Sequence, residues 1–310
     1  MLAIIAPGQG SQTPGFLTPW LEDDSLNHFL SLWSQSIGLD LVRFGTTAGA
    51  DEIRATENAQ PLIVAAGILA AKALGNVIPS LTAGHSVGEI TAAHIAGVLS
   101  DSDALALVRE RGQALALAAA QSETGMSAIL GGEREVVMAA LTELGLVPAN
   151  ENSAGQIVAA GALGALAKLA ENPPIGSRVR PLAVAGAFHT ETMRSAVAQV
   201  KEFATSLPVN NPNSTILSNS DGCAITSGRA ALDRIVHQIA NPVRWDLCME
   251  KMKSLGVSAV IELPPAGTLI GLIKRALPNV ETLALKTPAD LAAARELISR
   301  HNLKGEKVSE

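Results

Sequence analysis

Gly84-His85-Ser86-Val87-Gly88, preceded by the short apolar run Leu81–Ala83 and followed by the small-residue stretch Val87–Ala96, is the segment on which the fold turns. It has the form G-x-S-x-G, which places a serine on a sharp strand-to-helix turn. Glycines flank the serine because a strained elbow leaves no room for a Cβ on either side. In such a turn the serine hydroxyl stands above a sheet, and the helix that follows directs its positive end at the chemistry. Five residues are a short pattern, so their surroundings carry the reading.

Working outward, apolar runs alternate with helical periodicity. Leu2 to Ala6 reads as a buried strand that Pro7-Gly8 ends. A helical pattern covers Leu26 to Ser36. Gln60-Pro61 opens a long apolar helix reaching about Leu74, with Pro61 in its first turn. Gly97 caps the helix after the elbow, and another helix runs from about Asp103 to Ala120.

The middle of the chain then changes character. Strands at Met126–Leu130, Leu146–Asn150, Ile157–Ala160 and Val179–Val184 and helices at Glu133–Leu144 and Leu163–Ala170 fall in the order β-α-β-β-α-β, with a turn at Asn152–Gly155. Beyond it come a helix at Glu191–Leu207, a strand at Thr215–Ser218 and helices at Ala230–Ile239 and Trp245–Leu255. The strand Ala259–Leu263, a helix near Leu269–Leu277, the strand Thr282–Leu285, a helix from Pro288 to Arg300 and a frayed tail over Lys304–Glu310 complete the chain. The expected fold is α/β: a mainly parallel sheet in a hydrolase-like core, residues 1–122 and 188–310, with an inserted ferredoxin-like (βαββαβ) small domain over 123–187.

Composition narrows the class. At 310 residues, 47% hydrophobic and 17% charged, the chain has the make-up of a globular protein with a large core. It has no tyrosine, so a tyrosine general acid is excluded. A net charge of -6 argues against a nucleic-acid partner. Cys223 and Cys248 are the only cysteines, which points to a reducing compartment and away from a metal framework. The start, MLAIIAPGQGSQ, lacks a basic leader, and no segment reaches membrane-spanning length, so the expected location is cytoplasmic.

A serine hydroxyl needs a base. Of six histidines, His28 and His301 suit solvated or structural roles, His85 points away from its serine neighbour on an elbow, and His94 packs on the following helix. His189 lies in Gly186-Ala187-Phe188-His189-Thr190, between a strand and a helix, where α/β sheets place site residues. From position alone it is equally a base or a cap for the next helix. The loop Pro7-Gly8-Gln9-Gly10-Ser11-Gln12 lacks Walker spacing and is either a plain glycine turn or half of an oxyanion hole whose other half is the Val87 N–H.

PGQGSQ at 7–12, GHSVGE at 84–89, Arg111 in ERGQ, GAFH at 186–189 and NPVRW at 241–245, occurring in this order, resemble the malonyl-CoA:acyl carrier protein transacylases across almost the whole chain. The resemblance implies Ser86 as nucleophile, His189 as base oriented by a backbone carbonyl at Gln238, and an oxyanion hole from Gln9 and Val87. It implies that Arg111 holds the malonyl carboxylate, a match of fork to carboxylate that an acetyl group cannot offer. Gln60 falls on a polar position near the pocket or simply starts its helix. Arg109, two residues from Arg111, faces elsewhere as a surface arginine. Val87 and Phe188 accompany malonyl in related domains, Phe188 crowding a branch methyl, while Leu115 stands where relatives often carry methionine.

The implied partners are malonyl-CoA and acyl carrier protein, with Lys274 and Arg275 as a docking patch. The chain is expected to act as a monomer with no metal or other cofactor, and without nucleic acid or membrane. The competing readings are a serine esterase or thioesterase, a silent acyl-binding module, and a transferase for methylmalonyl units.

Overall fold

The computed structural model describes residues 1–75 and 77–302; the expected tail at 304–310 lies outside them. Eleven strands occur among the described residues: β1 (Leu2–Ala6), β2 (Leu81–Gly84), β3 (Thr124–Gly131), β4 (Val147–Ser153), β5 (Gln156–Ala162), β6 (Ser177–Pro181), β7 (Thr215–Leu217), β8 (Ala224–Ile225), β9 (Val243–Arg244), β10 (Ala259–Glu262) and β11 (Glu281–Ala284). They form two sheets.

The larger sheet has the order β11-β10-β1-β2-β7-β8. Its first five strands are parallel, and both faces are covered. All five residues of β1 are buried. Successive side chains point to opposite faces: Leu2 and Ile4 join one apolar cluster, while Ala3 and Ile5 join another that holds Trp245, Met252 and Ile273. The sheet is mainly parallel, as expected, but mixed. The edge strand β8 pairs antiparallel to β7. Two residues are too few for a period-2 signal, so nothing in the sequence announces β8.

The smaller sheet has the order β6-β3-β5-β4-β9. The pairs β3–β5, β3–β6 and β4–β5 are antiparallel, and Ile129, Val137, Leu141, Ile157 and Leu169 form its separate core. The two-residue β9, far later in the chain, adds parallel to β4 through Asn150↔Val243 and Glu151↔Arg244. This sheet too is mixed, and it is completed from outside 123–187.

Three local expectations change. The helix expected from Gln60 begins at Thr56, so Pro61 lies inside it rather than in its first turn. Proline has no N–H to give to the carbonyl four residues back, here that of Glu57. Arg109 Nη1 donates to that oxygen at 3.0 Å instead. Arg109 is therefore partly buried and serves Glu57 rather than standing free on the surface. The polar run Asn152-Ser153 is strand, not turn, and only Ala154-Gly155 make the turn, with Gly155 at φ +73°. Its polar side chains have tertiary partners: Glu151 accepts from Arg134, and Asn152 meets His85. The helix expected from Glu191 opens with a 3-10 turn over Glu191–Met193 before the α-helix Arg194–Ser206.

Candidate active site

The elbow forms as a matter of space. A Cβ on Gly84 would lie 1.9 Å from the carbonyl carbon of Gly88, and one on Gly88 would lie 2.4 Å from the Ala6 oxygen. Ser86 at φ +54° and His189 at φ +61° are the two non-glycine residues with positive φ among the described residues. A left-handed non-glycine backbone costs about 1–3 kcal/mol and persists only where its surroundings enforce it. Both strained residues meet: Ser86 Oγ lies 2.7 Å from His189 Nε2.

His189 Nδ1 lies 2.8 Å from the backbone oxygen of Gln238. A carbonyl only accepts, so Nδ1 carries the proton and Nε2 is left bare to accept from the serine hydroxyl. Burial, and after it the Arg111 charge, push the His189 pKa down to about 3, so the imidazole is neutral in the free site.

Arg111 is 1% exposed, an unusual position for a guanidinium. Nη1 donates to Gln60 Oε1 at 2.5 Å and Nη2 to Gln238 Oε1 at 2.9 Å, while Nε has no partner. Burial lowers its pKa to about 10, with Glu89 opposing, which still leaves it a cation at neutral pH. A buried cation met only by amide oxygens is short of an anion. Gln60 is thus a ligand of Arg111 and lies in mid-helix, not at a helix start.

Arg111, Ser86 and His189 line one cavity of about 270 Å³ together with Gln9, Gln60 and Phe188. Met126, Asn150 and Val158 of the smaller sheet line it from the other side. The first loop presses against the elbow, since a Cβ on Gly8 would sit 2.9 Å from the His85 oxygen. Among the described residues, the backbone N–H groups of Gln9 and Val87 find no protein acceptor. His85 lines the cavity with its ring engaged elsewhere: Nε2 meets Asn152 Oδ1 at 2.8 Å and the ring edge packs on Trp245. His94 bonds to the Leu99 oxygen and His301 to Ser258, both structural. Lys274 and Arg275 are exposed at the end of the helix Thr268–Ala276, whose Thr268, Leu269 and Leu272 line the cavity. Arg275 Nη2 donates to Gln156 Oε1 at 2.9 Å.

Sequence reasoning missed two residues that hold this site. Asn219 accepts from the Ser86 N–H at 2.7 Å and donates from Nδ2 to the Gly84 oxygen at 2.7 Å, so it clasps both sides of the elbow. Glu89, 3% exposed, accepts from the Asn219 N–H. Burial pushes its carboxyl up to about 8, against the Asn219 N–H, the Gln238 amide and the charges of Arg111 and Arg234. Asn219 follows β7, at the strand end where α/β sheets gather site residues, which was the available signal.

A serine hydroxyl hydrogen-bonded to a neutral imidazole, in one cavity with a buried arginine, fits the class of acyltransferases, and the family described as "Acyl transferase domain" matches residues 5–294. Over 296 residues the chain is 51% identical to the malonyl CoA-acyl carrier protein transacylase of Mycobacterium bovis, covering 94% of this chain and 98% of that protein. The crystal structure of MCAT from Mycobacterium tuberculosis superposes with a TM-score of 0.93 at 50% identity, covering 95% of this chain and 99% of the other. A type II PKS acyl-carrier protein in complex with its malonyl-transacylase gives a TM-score of 0.89 at 30% identity, with 95% and 99% covered. The chain belongs to the malonyl CoA-acyl carrier protein transacylase family.

Proposed function

We propose that this acyltransferase moves a malonyl group from malonyl-CoA to the phosphopantetheine thiol of an acyl carrier protein through a malonyl ester on Ser86, supplying fatty acid or polyketide synthesis. The observation that carries this reading is the pairing, in one cavity, of the Ser86–His189 dyad with a buried Arg111 that lacks an anion. His189 Nε2 takes the hydroxyl proton as Oγ attacks the thioester carbonyl. The oxyanion sits on the N–H groups of Gln9 and Val87. The C–S bond breaks, and the CoA thiolate leaves with the proton held by His189. The carrier thiol then gives its proton to His189 and its sulfur attacks the ester; the C–O bond breaks and Ser86 Oγ takes that proton back from His189, so the two half-reactions are one chemistry run in both directions. The Gln238 carbonyl stabilises the imidazolium where a hydrolase of this motif uses an aspartate.

The domain reading is a hydrolase-like unit, 1–122 and 188–310, carrying a ferredoxin-like insert over 123–187. The order β6-β3-β5-β4 and the separate apolar core of the smaller sheet support it. The cavity between the sheets keeps water from the ester. Phe188, lining that cavity, crowds a substituent on the malonyl α-carbon. No described helix is long and apolar enough to cross a membrane, and both cysteines are free, which fits the cytoplasm. Ser86, His189 and the two N–H groups carry these steps without a metal or organic cofactor.

Incubation with malonyl-CoA adds the mass of one malonyl group to Ser86, and holo carrier protein discharges it. An adduct that water removes as fast as the carrier does identifies a hydrolase instead. Carrier docking is assigned to Lys274 and Arg275, whose helix reaches from the surface to the cavity. Lys274→Glu with Arg275→Glu raises the KM for carrier protein about tenfold and leaves that for malonyl-CoA unchanged. An equal rise for both substrates removes the assignment.

A further inference from the structure

Gln238 is used twice. Its backbone oxygen orients His189, and its side-chain amide bridges two buried charges. Oε1 accepts from Arg111 Nη2 at 2.9 Å. Nε2 faces three acceptors: Glu89 Oε2 at 2.5 Å, the Ser86 backbone oxygen at 3.0 Å and Asn219 Oδ1 at 3.1 Å. Glu89 is the ionisable member of this set, a carboxylate above about pH 8, and its other oxygen accepts from the Asn219 N–H at 2.6 Å. Both carboxylate oxygens therefore meet N–H donors, one of them a backbone group that cannot turn.

We propose that Glu89 is a positioning residue for acyl selectivity: by offering two acceptors it holds the Gln238 amide with its oxygen toward Arg111, and so holds the guanidinium fork in the pose that receives the acyl carboxylate. The inference rests on Arg111 as the ligand of that carboxylate. An amide at position 89 has one acceptor for the two donors. If its oxygen serves Asn219, its NH₂ faces the NH₂ of Gln238. Gln238 then turns, which gives up its bonds to Ser86 and Asn219 and sets donor against donor at Arg111, or keeps its place with its NH₂ held against another NH₂. The first removes one of the fork's two anchors and the second strains it, while the Ser86 Oγ–His189 Nε2 and His189 Nδ1–Gln238 backbone contacts do not involve the amide.

The test compares acylation of Ser86 by malonyl-CoA and by acetyl-CoA at pH 9, where Glu89 is a carboxylate, followed by intact mass over a range of concentrations, in the wild type, Glu89→Gln, Glu89→Asp and Arg111→Ala. The malonyl-to-acetyl ratio of kcat/KM falls at least tenfold in Glu89→Gln. The loss appears as a higher KM for malonyl-CoA, with the acetyl-CoA constants within about twofold of wild type. Glu89→Asp, which keeps two acceptors, retains more of the ratio than Glu89→Gln.

An equal fall with both substrates means that Glu89 only supports the fold and overturns the proposal, as does an unchanged ratio. Arg111→Ala separates the two claims. If it keeps the ratio, the reading of Arg111 fails and the inference falls with it. If it loses the ratio while Glu89→Gln keeps it, the inference alone fails.

Wild-type protein supplies a second measurement should Glu89→Gln not fold. A protonated Glu89 also offers one acceptor, so the ratio falls as pH drops from 9 to 6. The groups facing Glu89 are Arg111, Arg234, the Cys248 thiol and the amides of Asn219 and Gln238. Of these, Arg111 at about 10 and Cys248, pushed well above its ordinary value by burial, titrate outside the window. The ratio of kcat/KM reports the free protein, in which His189, held near 3, also titrates outside the window. A flat ratio overturns the proposal. A ratio that rises on acidification does so too, since it makes Glu89 a competing charge on Arg111.

Discussion

Ser86→Ala forms no covalent adduct with malonyl-CoA, and transfer to carrier protein falls by on the order of 10⁴–10⁶. His189→Ala lowers the same rate by about 10²–10⁴, the contribution of one positioned base. Both are checked by single-turnover acylation, with a thermal melt to show that the fold is intact. The reason for the size is geometric. The hydroxyl already lies 2.7 Å from a bare, neutral imidazole nitrogen, so the ground state has the hydrogen bond along which the proton moves. A Ser86→Ala variant that still takes up malonyl covalently locates the nucleophile elsewhere and removes the mechanism.

The pH dependence follows with its sign. The base works when neutral, and a pKa held near 3 keeps it neutral throughout the physiological range. The kcat/KM for malonyl-CoA, which reports the free protein, therefore shows no acid limb from His189 between pH 5 and 8. Part of the depression comes from the Arg111 charge. Pairing that charge with the acyl carboxylate lifts His189 back toward its ordinary 6.5, so the base strengthens when a dicarboxylic acyl group is bound. The acid limb that His189 gives to kcat accordingly lies at higher pH than any limb it gives to kcat/KM. Coincident limbs contradict this coupling.

Arg111→Ala lowers the malonyl-to-acetyl ratio of acylation by about 10²–10⁴, from the roughly 3–5 kcal/mol lost when one partner of a buried ion pair is removed. Acetyl acylation changes far less, because an acetyl group has no carboxylate to lose. Arg111→Lys keeps the charge without the fork and recovers only part of the ratio. The measurement is competition between the two thioesters for Ser86, read by mass. An unchanged ratio in Arg111→Ala shows that the guanidinium supports the fold alone. The effect is large because the site is dry: Arg111 is 1% exposed and its present partners are neutral amides of Gln60 and Gln238. A carboxylate brings the charge those amides lack.

Much of this was legible along the chain, and the illegible parts have a common cause. The elbow was readable because its demand for glycine is local: Gly84 and Gly88 collide with neighbours if given a Cβ. The alternation of apolar runs and helical periods was readable for the same reason, as in β1 and β2, fully buried at every position. Expectations failed where a distant partner decides. Pro61 sits inside a helix because Arg109 takes up the Glu57 oxygen. Asn152 is strand because His85 meets it. The edge strand β8 and the bridging strand β9 are each two residues long, and only their neighbours make them strands.

At the site, the same division holds. Ser86, His189, Arg111 and the glutamine loop stand in motifs that short-range chemistry shapes, and the sequence by itself determined the reaction class they serve. Only the tertiary structure decided how that chemistry is held. Glu89 and Gln238 are separated by 149 residues and Arg111 and Gln238 by 127, yet they form one buried chain of hydrogen bonds. A buried polar group must find its partner wherever the fold brings one, and that requirement leaves no periodic trace along a sequence.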